Sequence, residues 1–333
     1  MTGNDNLKKE VIQWGCKYLV SHGYKLKSSL PENVQNTPWS YVVRFATSDG
    51  YIYLKHTPEL LALEPTIIQT LRVQFHAPVP KIIAHNAELN CFLMNDAGKS
   101  LREILKQKFD EALLCKAIDQ FTSLQIAVAD HIDVFLDIGV PDYRLDKLSG
   151  LYKELISQKD LLMAEGLSEV EISKFEALLP KVSSFCKKLS DYSIKQTIVQ
   201  PDFNDNNTII DDVSNITIID LGEIVISHPF FSLLNCLEQI KKHHGLTDND
   251  GTYLRIKNAC FNNYMNFFES KEHLLDAFMT AQLLSSVYGI SYQYRFMLAC
   301  GKEQLISFQH WKLKNLLKEF MARCIATAGD CQV

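Results

Sequence analysis

The sequence predicts an α+β chain with most of its strands gathered at the front, and three observations carry that expectation. Alternating apolar patterns bounded by turn signals fall before residue 95. Apolar residues at helical spacing fill most of the chain beyond it. One late stretch, 197–223, interrupts the helices with a strand, a polar loop and a hairpin. These place a small β-rich N-terminal lobe at residues 1–95 and a larger, mainly helical C-terminal lobe at 96–333. No internal repeat or low-complexity linker separates them, so they read as one unit of function.

Residues 7–22 carry Val11, Ile12, Cys16, Leu19 and Val20 at helical spacing, which predicts a short amphipathic packing helix. A polar stretch comes next at 31–37. Residues 39–45 then read as a strand, Ser48-Asp49-Gly50 as a turn and 51–55 as the partner strand, a hairpin ending in Lys55. The next helix opens at Glu64-Pro65 and continues through Ile67, Ile68 and Leu71. Glutamate and proline suit a first turn, the one by its charge and the other because its missing N–H has no partner to lose. Residues 79–84, a turn through Asn86-Ala87-Glu88 and residues 91–94 add two more strands to this lobe, and Asn95-Asp96-Ala97-Gly98 breaks the pattern. From residue 99 the chain is mainly helical. The strongest stripe is Leu113, Leu114, Ala117, Ile118, Phe121, Leu124 and Val128, with weaker ones at 145–163 and 168–189. Beyond the hairpin, His228-Pro229 opens another helix, and aromatic-rich helices are expected at 254–268, 274–294 and 305–326.

The stretch 197–223 is where the chemistry concentrates. Ile198 and Val199 lead into the loop Gln200-Pro201-Asp202-Phe203-Asn204-Asp205-Asn206-Asn207, and two strands, 208–210 and 216–219, then return to Asp220. Taken alone, Asp202 and the asparagines read as turn chemistry. Asp220 does not, because a carboxylate at the end of an apolar strand is costly without a cation or donor beside it. Two carboxylates and an amide so delivered are what phosphoryl transfer from ATP needs: one carboxylate to orient a hydroxyl, the others to hold Mg²⁺ on the phosphates. Asp205, Asp211 and Asp212 read as solvated turn residues, His228 as structural, and His243, His244 and His273 as surface residues.

Residues 200–207, with Ile219-Asp220-Leu221-Gly222 and Ser227-His228-Pro229, resemble the signature of the aminoglycoside phosphotransferase and choline kinase family: His-Gly-Asp, four residues, Asn, and later Ile-Asp ahead of His-Pro. The chain departs from it at Gln200 and Pro201, which stand where that family has His and Gly. The resemblance implies a two-lobed, protein-kinase-like fold, with Asp202 as the catalytic carboxylate and Asn207 and Asp220 as ligands of Mg²⁺. It also implies that Lys55 reaches the phosphates of ATP and is held by Glu64. Met94 to Asp96 would fall at the hinge that meets the adenine edge, and the 36–40 stretch, with Ser40, would cover the phosphates. No Gly-rich phosphate loop precedes Lys55, and neither a Walker-type loop nor a dinucleotide fingerprint occurs.

Composition bounds the rest. With 47% hydrophobic and 22% charged residues the chain is ordinary globular protein, and its net charge of −5 disfavours nucleic acid as a partner. No apolar run is long enough to span a bilayer and no apolar signal core stands at the front, so a cytoplasmic protein without membrane contact is expected. Nine scattered cysteines without a Cys-x-x-Cys argue against a disulfide framework and a zinc site. Oligomeric state is not readable. The leading expectation is an ATP- and Mg²⁺-dependent kinase for a hydroxyl of a small polar molecule. The alternatives are a catalytically silent nucleotide-binding or interaction module and a protein kinase, the latter disfavoured because no room for a long activation segment exists after Asp220. Residues 96–333 hold 25 basic against 32 acidic residues, which favours a cationic acceptor such as an amino-alcohol or aminoglycoside.

Overall fold

The structure, a computed structural model, describes residues 3–329. In chain order the first elements are α1 (Gly3–Ser21), β1 (Glu32–Asn36), β2 (Tyr41–Thr47), β3 (Gly50–His56), α2 (Glu64–Phe75), β4 (Ile82–Asn86), β5 (Cys91–Asn95) and β6 (Lys99–Ser100). Seven helices come next: α3 (Leu101–Gln107), α4 (Glu111–Val128), α5 (Asp133–Asp137), α6 (Leu145–Ile156), α7 (Lys159–Ala164), α8 (Glu169–Glu176) and α9 (Leu179–Ser190). Then come β7 (Thr197–Val199), β8 (Thr208–Ile210), β9 (Ile216–Ile218) and β10 (Val225–Ser227). The chain closes with α10 (Phe230–His244), α11 (Gly251–Asn262), α12 (Lys271–Cys300), α13 (Lys302–Ser307) and α14 (Leu313–Gly329).

These elements form two compact units. The first takes residues through Leu101, then Asn207–Glu223 and Phe296–Gln309. Its main sheet is antiparallel in the order β1-β2-β3-β5-β4, which puts β3 in the centre. Val43 and Phe45 of β2, Leu54 of β3 and Leu93 of β5 pack with Val11 and Leu19 of α1, so the predicted N-terminal helix closes one core. Strand β1 lies in the stretch read from sequence as merely polar. Glu-Asn-Val-Gln-Asn is almost wholly exposed and carries a register shift between Asn33 and Gln35, so no apolar alternation announces it. The second sheet of this unit joins β6 to the hairpin β8–β9. Gly98, at φ +118°, makes that junction possible: a Cβ there would stand 2.2 Å from the Ile210 carbonyl oxygen.

The second unit takes Arg102–Asn206, Ile224–Arg295 and the chain from His310 on. Strand β7 pairs antiparallel with β10, Val199 opposite Val225. Gln125 of α4 anchors β7 from a fully buried position: its Nε2 donates to the Ile198 carbonyl (2.8 Å), its carbonyl accepts from the Thr197 hydroxyl (2.6 Å), and its Oε1 accepts from the Tyr264 hydroxyl (3.0 Å). Phe121, one turn earlier, stacks on Phe203 at 3.8 Å between ring centroids. Three of the predicted helical stripes are each broken in two. Ser157 and Gln158 separate α6 from α7, Pro180 starts α9 afresh after α8, and Gln309 at φ +54° stands between α13 and α14. Eight cysteines are free thiols, and Cys331 lies outside the described residues. Among the described residues no helix is long and apolar enough to cross a membrane.

Candidate active site

Lys55 sits in the central strand with its side chain 6% exposed, flanked by Val42 on β2 and Phe92 on β5. A lone buried ammonium would be very costly; here two carboxylates meet it. Glu64 Oε2, in the first turn of α2, lies 2.6 Å from Nζ, and Asp220 Oδ1 makes a second, short ion pair with the same nitrogen. Burial works to discharge Lys55, but the charges of Asp220 and Glu64 outweigh it and hold its pKa above the ordinary lysine value. The other oxygen of Glu64 accepts from the Leu221 N–H at 3.1 Å, so this carboxylate also fastens the segment just after Asp220. Asp220 itself lies at φ +64°, a left-handed conformation uncommon outside glycine, with its side chain one third exposed.

The hairpin register explains how Asn207 comes near. Thr208 faces Ile218, and the Ile219 N–H donates to the Asn207 carbonyl at 3.0 Å, so Asn207 precedes one strand where Asp220 succeeds the other. Gly222 then crosses close to α2. A Cβ on Gly222 would lie 3.1 Å from both Glu64 Oε2 and the Leu61 carbonyl oxygen. Gly222→Ala is therefore expected to lower stability by about 1–3 kcal/mol, the range for forcing a methyl into a packed site. The measurement is a denaturant midpoint; an unchanged midpoint would mean that Glu64 has room to move.

The remaining expected nucleotide residues of this unit are not partners of Lys55. Ser40 closes a tight turn: its N–H donates to the Thr37 hydroxyl (3.1 Å) and its carbonyl accepts from the Thr37 N–H (2.9 Å). Its own hydroxyl is buried and has no hydrogen-bond partner among the described residues. Met94 is half-buried on β5 opposite Tyr53, and Asp96 is exposed, its Oδ1 accepting from the Gly98 N–H at 3.0 Å. The N–H groups of Asn95 and Asp96 donate to the carbonyls of Lys81 (3.1 Å) and Tyr51 (3.3 Å).

Asp202 belongs to the second unit and is exposed, yet its carboxylate is oriented. Asn204 Nδ2 donates to Asp202 Oδ1 at 2.8 Å and to the Asp202 carbonyl at 2.8 Å. The side-chain Oδ1 of Asn204 in turn accepts from Arg102 (3.1 Å) and from the Asn206 N–H (2.7 Å). Arg102 is clamped by Asp205, with Nε and Nη2 at 2.9 and 2.7 Å from the same oxygen, and His244 Nε2 lies 2.7 Å from the other. The expectation that Asp205 is a solvated turn residue and His244 a surface residue is thus corrected: their side chains are 0% and 4% exposed. Burial pushes the Asp205 carboxyl up, but hydrogen bonds from Arg102 and His244 hold it below the usual aspartate value. Sequence reasoning missed this group because its members lie 103 and 39 residues apart with no motif joining them. Asp205 beside three asparagines gave no sign of burial.

Gln200 is buried, its N–H donating to the Ser232 hydroxyl at 2.9 Å. His228 is wholly buried among rings, 4.9 Å from Phe230, with its pKa lowered to about 3 by burial, in keeping with a structural role.

No protein-family model matches the sequence, and no curated protein matches it. Solved structures match the fold. An ethanolamine kinase from Plasmodium vivax aligns with a TM-score of 0.61 at 10% identity, over 89% of this chain and 82% of its own. Choline kinase LicA from Streptococcus pneumoniae aligns with a TM-score of 0.55 at 11% identity, over 92% and 98%. The ternary complex of APH(2'')-IIa with streptomycin and ATP aligns with a TM-score of 0.52 at 15% identity, over 91% and 94%. With a five-stranded antiparallel sheet in one unit and a mainly helical second, the chain has the α+β, protein-kinase-like fold of choline and ethanolamine kinases and aminoglycoside phosphotransferases.

Proposed function

We propose that the protein is a Mg-ATP-dependent phosphotransferase that moves the γ-phosphate to a hydroxyl of a small polar molecule. The observation that carries this reading is the buried Lys55 held between Glu64 and Asp220. An ion triad on a central strand is a poor device for stability alone, since the desolvation of buried charges outweighs their attraction unless geometry and partners are excellent. It suits a site where a cation must meet phosphates and a carboxylate must meet a metal. The donor set fits Mg²⁺, which prefers a few hard oxygen ligands and keeps the rest for phosphate and water: Asp220 would supply a carboxylate oxygen and Asn207 an amide oxygen. The ion would supply charge neutralisation on the transferred phosphate.

The side chains then divide the work. Lys55, kept charged and aimed by Glu64, binds phosphate oxygens, and the unpaired buried hydroxyl of Ser40 is suited to donate to another. The 94–96 stretch would meet the adenine edge, where the N–H groups of Asn95 and Asp96 are engaged by the Lys81 and Tyr51 carbonyls. Asp202 accepts or orients the acceptor's hydroxyl proton, and positioning supplies most of the rest. Two matched structures are an ethanolamine and a choline kinase and a third holds streptomycin. Together with the acidic excess of residues 96–333, they support a cationic amino-alcohol or aminoglycoside as acceptor. A cationic acceptor drawn in by that field is expected to bind more weakly in high salt, as screening shortens to about 3 Å at molar ionic strength. A panel of amino-alcohols, aminoglycosides, sugars and nucleosides at low and high salt tests this; turnover confined to anionic acceptors would overturn it.

Asp220→Ala is expected to erase the Mg²⁺-dependent part of ATP binding while leaving Lys55 paired with Glu64. Titration calorimetry should show Mg²⁺ strengthening ATP binding to the wild type on the order of tenfold, about 1.4 kcal/mol, and having no effect on the variant. Equal Mg²⁺ dependence in both proteins would remove Asp220 from the metal site.

A further inference from the structure

The geometry points to Arg102, Asp205 and His244 as positioning residues that set the carboxylate of Asp202, an inference that rests on the phosphotransferase reading. Asp202 is exposed, and a side chain in water samples several rotamers unless something selects one. Asn204 is the nearer selector, 2.8 Å from Asp202 Oδ1, with Asn235 Nδ2 at 3.4 Å from the same oxygen. The Asn204 amide has one donor end and one acceptor end, and turning it over would set its oxygen against the Asp202 carboxylate. Arg102 fixes which way it faces, because a guanidinium can only donate and it meets the oxygen of Asn204 at 3.1 Å. Arg102 is itself immobilised: two of its nitrogens lie on Asp205 Oδ1 at 2.9 and 2.7 Å, and its backbone N–H donates to the Asp205 carbonyl at 3.0 Å. His244, 2.7 Å from Asp205 Oδ2, holds the remaining oxygen. Asp205 has no exposed side-chain surface, so it touches no substrate and acts through Arg102. The relay runs His244–Asp205–Arg102–Asn204–Asp202, within one unit of the chain.

The test uses the full chain and the variants Arg102→Lys, Asp205→Asn, Asn204→Ala and the double variant Arg102→Lys with Asn204→Ala. Lysine keeps the charge beside Asp205 but cannot reach both acceptors as a planar fork does. Arg102→Lys and Asn204→Ala are each expected to lower kcat about 10–100-fold, the scale of a small misplacement of a reacting group, with the KM for ATP within about twofold. The double variant should be no slower than the slower single, because both changes cut the same relay. A merely structural role would multiply the losses and raise KM, and that result would overturn the inference. Amide hydrogen exchange gives a readout that needs no turnover and separates this inference from the reading beneath it. At the Asn206 N–H, which donates to Asn204, exchange should quicken at least about tenfold in Arg102→Lys and Asp205→Asn while β8 and β9 stay protected. Should the wild type phosphorylate nothing, the phosphotransferase reading falls, and exchange alone decides whether the relay orders the loop. Wild-type exchange in both variants would sink it.

Discussion

Asp202→Asn is expected to lower phosphotransfer by about two to four orders of magnitude, the contribution of a well-placed proton acceptor, with ATP affinity nearly unchanged. Asparagine keeps the size of aspartate and a carbonyl oxygen for Asn204 to donate to, so the loop should hold its shape. What it loses is the ability to take a proton from the acceptor hydroxyl. Steady-state turnover and ATP titration on the same preparation separate the two effects. A variant that retains full turnover would place the proton acceptor elsewhere, whereas a loss confined to KM would make Asp202 a binding residue.

Lys55→Ala should have the largest effect on nucleotide binding and a large one on stability. Removing the ammonium leaves Glu64, 1% exposed, with no counter-charge and Asp220 beside it. Breaking a buried pair in this way typically costs about 3–5 kcal/mol. The stability loss therefore needs separating from the functional one, and Lys55→Met with Glu64→Gln does so. The double change removes the stranded charge, so the unfolding midpoint should recover in good part while ATP binding does not. ATP affinity should fall far more than adenosine affinity, because the lysine is assigned to phosphates. Equal losses for both ligands would move Lys55 away from the phosphates, and full recovery of ATP binding in the double variant would make the triad purely structural.

What could be read from the sequence was whatever is local. The hairpin 41–56, helix α2 with Glu64 and Pro65 in its first turn, and the return from Thr208 to Ile218 each arise from alternation, turn residues and capping within a short window. The closeness of Lys55 and Glu64 was expected only through the resemblance, as 9 residues and a helix start separate them and nothing in that spacing fixes a contact. Edge strand β1 escaped because solvent on both faces leaves no alternation to detect. Asp205 was misjudged for the opposite reason: it sits in a turn-like run of polar residues, but Arg102 and His244 arrive from distant helices to bury it and bond both its oxygens. The broken stripes show a related weakness, since apolar periodicity continues across a sharp turn that only Ser157-Gln158, Pro180 or the left-handed Gln309 marks.

The most direct test is to incubate the wild-type protein with ATP and Mg²⁺ against a panel of choline, ethanolamine, aminoglycosides, sugars and nucleosides, and to track phosphate by ³¹P NMR with mass spectrometry of the acceptors. The expected result is ADP formed in step with an acceptor one phosphate heavier, dependent on Mg²⁺ and abolished or nearly so in Asp202→Asn. Mg²⁺-dependent ATP binding without any phosphorylated acceptor, at the same rate of ADP formation in wild type and Asp202→Asn, would contradict it and leave a nucleotide-binding module without phosphotransfer.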